Sequence, residues 1–165
     1  MKKLIFSSVL LAAAIGFAAD PPADPPTTPA EPSIEGTWNV TGRACTSNAQ
    51  LKDNIKIGTD TLSMTNNADM SFEYKTNIAG CETVMKGTYV KDGMKVDYSA
   101  TSSQGCKDTA PVPMNETHSM FIAHLSDTEA VTVATGDMAE MSCPAGDALV
   151  VNWAKDGATP TPPTP

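Results

Sequence analysis

The strongest constraint on the fold is a two-residue alternation of apolar and polar side chains, which recurs in eight short segments. Alternation of this kind is typical of a β-strand with one buried face, because successive side chains point to opposite faces. It is clear in Phe72-Glu73-Tyr74 and again in Val96-Asp97-Tyr98. Helical periodicity is weak by comparison. The middle of the chain is therefore predicted to be all-β.

The eight segments give a specific prediction of which side chains face the interior. In the sixth segment the opposite face, with Ser119, Phe121 and Ala123, stays open as an alternative. Arg43 is predicted to face solvent. The predicted inward residues are, in chain order, Trp38 and Val40; Leu62 and Met64; Met70, Phe72 and Tyr74; Met85, Gly87 and Tyr89; Val96, Tyr98 and Ala100; His118, Met120 and Ile122; Val131 and Val133; and Leu149, Val151 and Trp153.

The lengths of the connections predict how the strands are arranged. Those after the second, fourth and sixth segments are short, whereas 46–59, 102–115 and 136–147 are long. Successive turns of an up-and-down meander fall at opposite ends, so the short turns form a closed floor and the long loops form a mouth. Closure also removes unpaired edge strands. We therefore predict an eight-stranded antiparallel up-and-down β-barrel over residues 34–156, with Trp38 and Trp153 at its floor.

The two ends of the chain differ from its middle. Residues 1–18 begin with Lys2 and Lys3, continue through an apolar run and end in Gly16-Phe17-Ala18, an order typical of a secretory signal peptide. We predict cleavage after Ala18 and no membrane span thereafter. Ten of the thirteen prolines lie in residues 19–33 and 157–165, which we predict to be a disordered linker and a disordered tail. The protein is thus predicted to be periplasmic or secreted.

Four cysteines are expected to form two disulfides in such an exported chain. Three pairings are possible, and all four residues fall at the predicted mouth. The strands near Cys81 and Cys106 are neighbours, while the strands near Cys45 and Cys143 are neighbours only if the barrel closes. We therefore favour Cys81–Cys106 together with Cys45–Cys143, the second of which would staple the closing seam.

A family resemblance adds to this pattern. Gly36-Thr37-Trp38 on the first strand resembles the Gly-x-Trp signature of the lipocalins and the wider calycin group. The eight consecutive strands over 34–156 and the signal peptide make the chain similar to bacterial lipocalin-like domains. The resemblance implies a barrel that binds a small hydrophobic ligand in its interior.

Charge and composition exclude several other classes of function. The formal net charge is −8, and loss of Lys2 and Lys3 with the signal peptide leaves nine basic against nineteen acidic residues. This argues against a nucleic-acid partner. The chain lacks the common catalytic motifs, so we expect no enzyme and no cofactor. Met114, His118, Met120 and His124 suggest a soft metal site, but an extended strand separates the two imidazoles by about 20 Å, and we expect no metal.

The inward faces define a candidate binding site and leave one question open. Several methionines fall on inward faces or at their ends, among them Met64, Met70, Met85, Met94 and Met120, and methionine suits both core filling and adaptable binding surfaces. The alternative to a hollow barrel is a packed one whose disulfide-braced mouth loops engage or inhibit a protein partner. The predicted ligand-lining residues are Gly42, Leu62, Tyr74, Met85, Tyr98, His118, Met120, Val133 and Leu149.

Overall fold

The computed structural model describes residues 31–157, which form a closed barrel of eight antiparallel strands. Each strand pairs with the next, and the first pairs with the last, so the predicted fold class is confirmed. The signal peptide, residues 19–30 of the linker and the tail from residue 158 lie outside the described residues. The strands are β1 Gly36–Cys45, β2 Thr61–Asn66, β3 Ser71–Ile78, β4 Cys81–Asp92, β5 Lys95–Gln104, β6 Val112–Leu125, β7 Glu129–Ala134 and β8 Leu149–Lys155.

The connections separate into a floor and a mouth as predicted. Short turns join β2 to β3, β4 to β5 and β6 to β7 at the floor, and the loops 46–60 and 135–148 rise at the mouth. The second of these loops contains α1, Asp137–Glu140. The third predicted long loop, 102–115, is wrong in extent, because β5 continues to Gln104 and β6 starts at Val112. A register shift between Ala100 and Ser102 interrupts the alternation there and hides the ends of both strands from a period-two pattern.

Two disulfides hold the mouth, and the cysteines pair as the sequence analysis favoured. Cys45 bonds to Cys143 and Cys81 bonds to Cys106, across sequence separations of 98 and 25 residues. The first lies at the end of the β1–β8 seam, where the Thr46 amide also donates a 3.0 Å hydrogen bond to the Ala148 carbonyl. The seam is thus joined by backbone pairing and by a covalent bond.

Both tryptophans are buried near the floor, and each has a partner for its indole N–H. Trp38 Nε1 donates to the Ile34 carbonyl oxygen at 2.8 Å, and Trp153 Nε1 donates to Thr132 Oγ1 at 2.9 Å. The Lys155 ammonium lies 5.2 Å from the centroid of the Trp38 ring, within the range of a cation–π contact. The aromatic floor is therefore closed by polar as well as apolar contacts.

Two methionines that were predicted on inward faces or at their ends, Met70 and Met94, are instead exposed. Met70 precedes β3 in a turn with a φ of 64°, and Met94 lies in the turn between β4 and β5. Their side chains are 59% and 53% exposed. In both cases the prediction extended the alternating pattern past the end of a strand. It failed because a turn residue has no fixed relation to the pleat of the strand beside it.

The glycine of the Gly-x-Trp motif has a physical role at the floor. Gly36 has a φ of 107°, in the region that side-chain-bearing residues avoid. A Cβ atom there would lie 2.8 Å from Lys155 Cε, inside the space that lets Lys155 cover Trp38. The backbone conformation therefore requires glycine, and an added Cβ would also displace the flexible end of the Lys155 side chain.

We expect Gly36→Ala to lower the free energy of unfolding by about 2 kcal/mol, through backbone strain and displacement of Lys155. Urea unfolding measures the change. The matched control is Gly58→Ala, because Gly58 has a similar φ of 100° but nothing within 4 Å of an added Cβ. Equal losses at the two positions would show that packing against Lys155 contributes nothing.

Removing the seam disulfide should cost more stability than removing the other one. Chain entropy predicts about 4.7 kcal/mol for the 98-residue separation and about 3.5 kcal/mol for the 25-residue one. Unfolding of Cys45→Ala/Cys143→Ala and of Cys81→Ala/Cys106→Ala, each as a pair, tests this order. A larger loss for the second pair would contradict it.

Candidate ligand site in the barrel

A cavity of about 310 Å³ occupies the mouth half of the barrel and is lined mostly by apolar side chains. We call this cavity the lumen. Seven of the nine predicted lining residues border it: Leu62, Tyr74, Met85, Tyr98, His118, Met120 and Leu149. The other lining residues are Val40, Arg43, Asp53, Ile55, Met64, Phe72, Ala134, Met138, Met141, Ser142, Val151 and Trp153.

The prediction for Gly42 is wrong because β1 contains a bulge. Val40 pairs with Trp153 and Gly42 with Asn152, so Thr41 is an extra residue with no partner on β8. Since one inserted residue reverses the faces beyond it, Gly42 lies outside and Arg43 points into the barrel. Arg43, predicted to face solvent, therefore borders the lumen. The bulge inserts only one residue, Thr41, into this strand, so the alternation of apolar and polar residues could not reveal the bulge.

The prediction for Val133 is wrong because the phase of β7 is opposite to the one expected. Ala130 and Ala134 are buried, while Val131 and Val133 lie on the outer face and are half-buried. The inner face also carries Thr132, which accepts the hydrogen bond from the Trp153 indole. Small residues face inward here because the bulky Trp153 ring occupies the adjacent space. An Ala-Val-Thr-Val-Ala segment is apolar on both faces. The prediction assigned the larger valines to the interior, and this choice by side-chain size was wrong.

Methionine supplies an unusual share of the lumen wall. Met64, Met85 and Met120 come from predicted inward faces, whereas Met138 and Met141 come from the loop 135–148 and were missed. A loop residue has no periodicity from which its direction could be predicted. Unbranched, polarizable thioether side chains can adapt to ligands of different shape.

The lumen has one ion pair, and it ties the mouth loops to the barrel. Arg43 donates to both carboxylate oxygens of Asp53, at 3.0 and 2.6 Å, and to Ser142 Oγ at 2.5 Å. Ser142 Oγ in turn donates to Asp53 Oδ2 at 2.6 Å. Asp53 belongs to the loop 46–60 and Ser142 to the loop 135–148, so Arg43 joins both loops to β1. The Lys52 amide adds a 2.8 Å hydrogen bond to the Ser142 carbonyl.

The surroundings of Asp53 and of the two lumen tyrosines set their protonation states. Burial raises the pKa of Asp53, but hydrogen bonds from Arg43 and Ser142 outweigh it, and the net pKa lies below the ordinary value of 3.8. Burial raises the pKa of both Tyr74 and Tyr98 to about 12. At neutral pH the lumen therefore presents a compensated ion pair and two neutral phenols.

The two histidines lie on opposite faces of β6. His118 borders the lumen, with Nε2 3.3 Å from Glu116 Oε2, whereas a bulge at Ala123 places His124 on the exposed outer face. The shared face assumed for a soft metal site is thus wrong. Among residues 31–157, no group of three or more His, Cys, Asp or Glu side chains is arranged to hold a metal ion.

We expect Asp53→Asn to lower the free energy of unfolding by about 2 kcal/mol, because the buried Arg43 guanidinium would lose its counter-ion. Chemical denaturation at pH 7 measures the loss. Asp97→Asn is the matched control, since Asp97 pairs with Lys95 on the outer surface and solvent screens that pair. The control should lose less, and equal losses would contradict a special role for the mouth ion pair.

The same pair predicts a pH dependence. Because the folded-state pKa of Asp53 is below its ordinary value of 3.8, its stabilising effect is complete above that pH and is lost as pH falls through the folded-state pKa. The difference in unfolding free energy between wild type and Asp53→Asn should therefore be constant at neutral pH and narrow below about pH 4. A difference that stays constant down to pH 2 would contradict this assignment.

Comparison with protein families and with curated protein sequences gives no match. Within residues 31–157, no helix has the length and apolar character needed to cross a bilayer. The closed eight-stranded barrel agrees with a calycin-like fold.

Proposed function

We propose that this protein is an exported, non-enzymatic, lipocalin-like binding protein that holds a small hydrophobic ligand in its barrel. The observation that carries the proposal is the lumen itself. Its volume of about 310 Å³ lies at the lower end of the range for small-molecule sites, which are mostly apolar with a few polar groups. A barrel built only as a rigid scaffold would gain stability by filling this space.

The states of the ion pair and of the two phenols support binding rather than catalysis. Arg43 and Asp53 neutralise each other, and both tyrosines stay protonated near neutral pH. Such groups orient a ligand but are poorly matched to proton transfer, which works best with a pKa near the operating pH. The proposed occupant is accordingly an uncharged, mainly apolar molecule.

The proposed location rests on cysteine chemistry and on the amino-terminal sequence. Two disulfides persist best in an oxidising compartment such as the periplasm or the extracellular space. The apolar segment before Ala18 is proposed as the cleaved export signal. The net charge of −8 gives no support for a nucleic-acid partner.

A protein-binding role is the second candidate, and one feature of the mouth favours it. Met141 borders the opening and is 65% exposed, and Ile57 in the facing loop is 37% exposed. Their loops are braced by the Cys45–Cys143 bond and by the Arg43 network. Braced loops with exposed apolar tips could engage a protein partner, and binding would then not depend on the lumen.

The expected result for the ligand hypothesis is saturable binding of an environment-sensitive apolar dye to the purified mature protein. Bound dye should quench Trp153, which borders the lumen, and should raise the melting temperature, because it binds only the folded state. A protein that shows neither effect would have no ligand-accessible lumen, and the protein-binding candidate would take precedence.

Two substitutions on adjacent residues of β7 test whether the dye occupies the lumen. Ala134→Phe places a ring inside it and should weaken dye binding by about tenfold or more, about 1.4 kcal/mol. Val133→Phe places the same ring on the outer face and should leave binding unchanged. Equal affinities for the two variants would place the dye elsewhere on the protein.

A further inference from the structure

The Asn66 side chain faces the interior of the barrel without a complete set of hydrogen-bond partners. Asn66 follows Leu62 and Met64 on the inward face of β2 and is 4% exposed. Its Nδ2 donates to the Ile34 carbonyl oxygen at 3.1 Å. A carbonyl oxygen only accepts, so this bond fixes which end of the amide faces Ile34. The other end, Oδ1, is buried and has no hydrogen-bond partner among the described residues.

An unpaired buried oxygen has an energetic cost that selection normally removes. Leaving a buried acceptor without a donor is destabilising, and nearly all such atoms in folded proteins have a partner. The bond to Ile34 does not require asparagine, because the Ile34 carbonyl already accepts the 2.8 Å bond from Trp38 Nε1. Asn66 therefore needs an explanation other than the packing around Ile34.

A second cavity of about 40 Å³ lies beside Asn66 at the floor end of the lumen. Met64, Tyr98, Met120 and Trp153 border both cavities, so the small cavity is the deep end of the lumen. Its lining includes no charged side chain. Its volume suits a group of about the size of one water molecule.

Tyr98 brings a second polar group to this deep end. The ring of Tyr98 is fixed against Phe72 at a centroid distance of 5.1 Å. Burial raises the pKa of Tyr98 to about 12, and a side-chain hydrogen bond from Asn66 acts in the opposite direction. A bond donated to the phenol oxygen leaves the Tyr98 O–H free to donate in turn. The deep end thus offers one free acceptor and one neutral hydroxyl.

These two groups define the chemistry that would fill the deep end. The occupant must donate to Asn66 Oδ1 and can accept from the Tyr98 hydroxyl, and a hydroxyl group does both. A carboxylate would place an acceptor against an acceptor with no cation nearby, and an ammonium would be buried without a counter-ion. We propose that the floor of the lumen is a hydroxyl-binding site and that the ligand is an apolar alcohol or phenol which enters with its hydroxyl first. This inference rests on the proposed ligand-binding function.

Two isomers of equal size test the proposal. 1-Octanol and heptyl methyl ether share one formula, but only the alcohol has a hydrogen-bond donor. Dye displacement gives the affinity of each, and the informative quantity is the ratio of the ether dissociation constant to the alcohol dissociation constant. We expect this ratio to fall about threefold to tenfold in Asn66→Leu, the range of one net hydrogen bond. Tyr98→Phe, which keeps the packed ring, should lower it in the same direction.

The matched control makes the same substitution outside the barrel. Asn152→Leu changes an exposed asparagine on the outer face of β8 and should leave the ratio at its wild-type value. Asn66→Leu should also raise the melting temperature of the ligand-free protein, since it removes an unpaired oxygen. If Asn66→Leu fails to fold, Tyr98→Phe still tests the proposal through the ratio.

Three results would overturn the proposal, and they differ in what they imply. An unchanged ratio in both lumen variants means that the hydroxyl site does not exist, although ligand binding itself stands. A lower melting temperature for Asn66→Leu with an unchanged ratio assigns Asn66 a structural role, for example through a permanently bound water. Failure of the dye and of both isomers to bind the wild type overturns the proposed function, and this inference falls with it.

Discussion

The pairing of β1 with β8 is the interaction on which the other features depend. Seven residue pairs from Trp38 with Lys155 to Cys45 with Leu149 close the sheet on itself. Closure removes both edge strands, turns one face of the sheet into an interior and brings the two tryptophans to one end. Without it, the same eight strands would leave Arg43 and Asn66 on an open sheet face in contact with water, where neither would need a partner.

The seam also explains why the mouth is held so firmly. A bulge at Thr41 on β1 turns Arg43 inward, and from there its guanidinium reaches both long loops through Asp53 and Ser142. The Cys45–Cys143 bond joins the end of β1 to the loop 135–148, a short distance along the chain from this network. The ion pair is shielded from water more than a surface pair would be, so its attraction is screened less. The single inserted residue Thr41 therefore allows a barrel strand to fix the positions of both long loops.

The sequence was sufficient for the architecture and insufficient for the details of the lumen. Alternation, loop lengths and cysteine positions predicted eight strands, closure and both disulfides, because each depends on a pattern spread over many residues. Gly42, Val133 and His124 were misplaced because a single inserted residue or an ambiguous phase reverses the two faces of a strand. Asp53, Met138 and Ser142 were missed because loops have no period. Asn66 carried a usable signal, a polar residue at an inward position, and only the structure shows that its oxygen is unpaired.

The places where the described chain enters and leaves the barrel have a consequence for how the barrel can be mounted. Gly36 and Lys155, the first residue of β1 and the last of β8, both lie at the floor, so the described chain enters and leaves the barrel on the side away from the opening. A solid support, a partner domain or an affinity handle joined directly before Gly36 or directly after Lys155 would thus sit behind the barrel. A molecule anchored in this way would keep the opening of the barrel facing solution, so the attachment and the opening would not compete for the same surface.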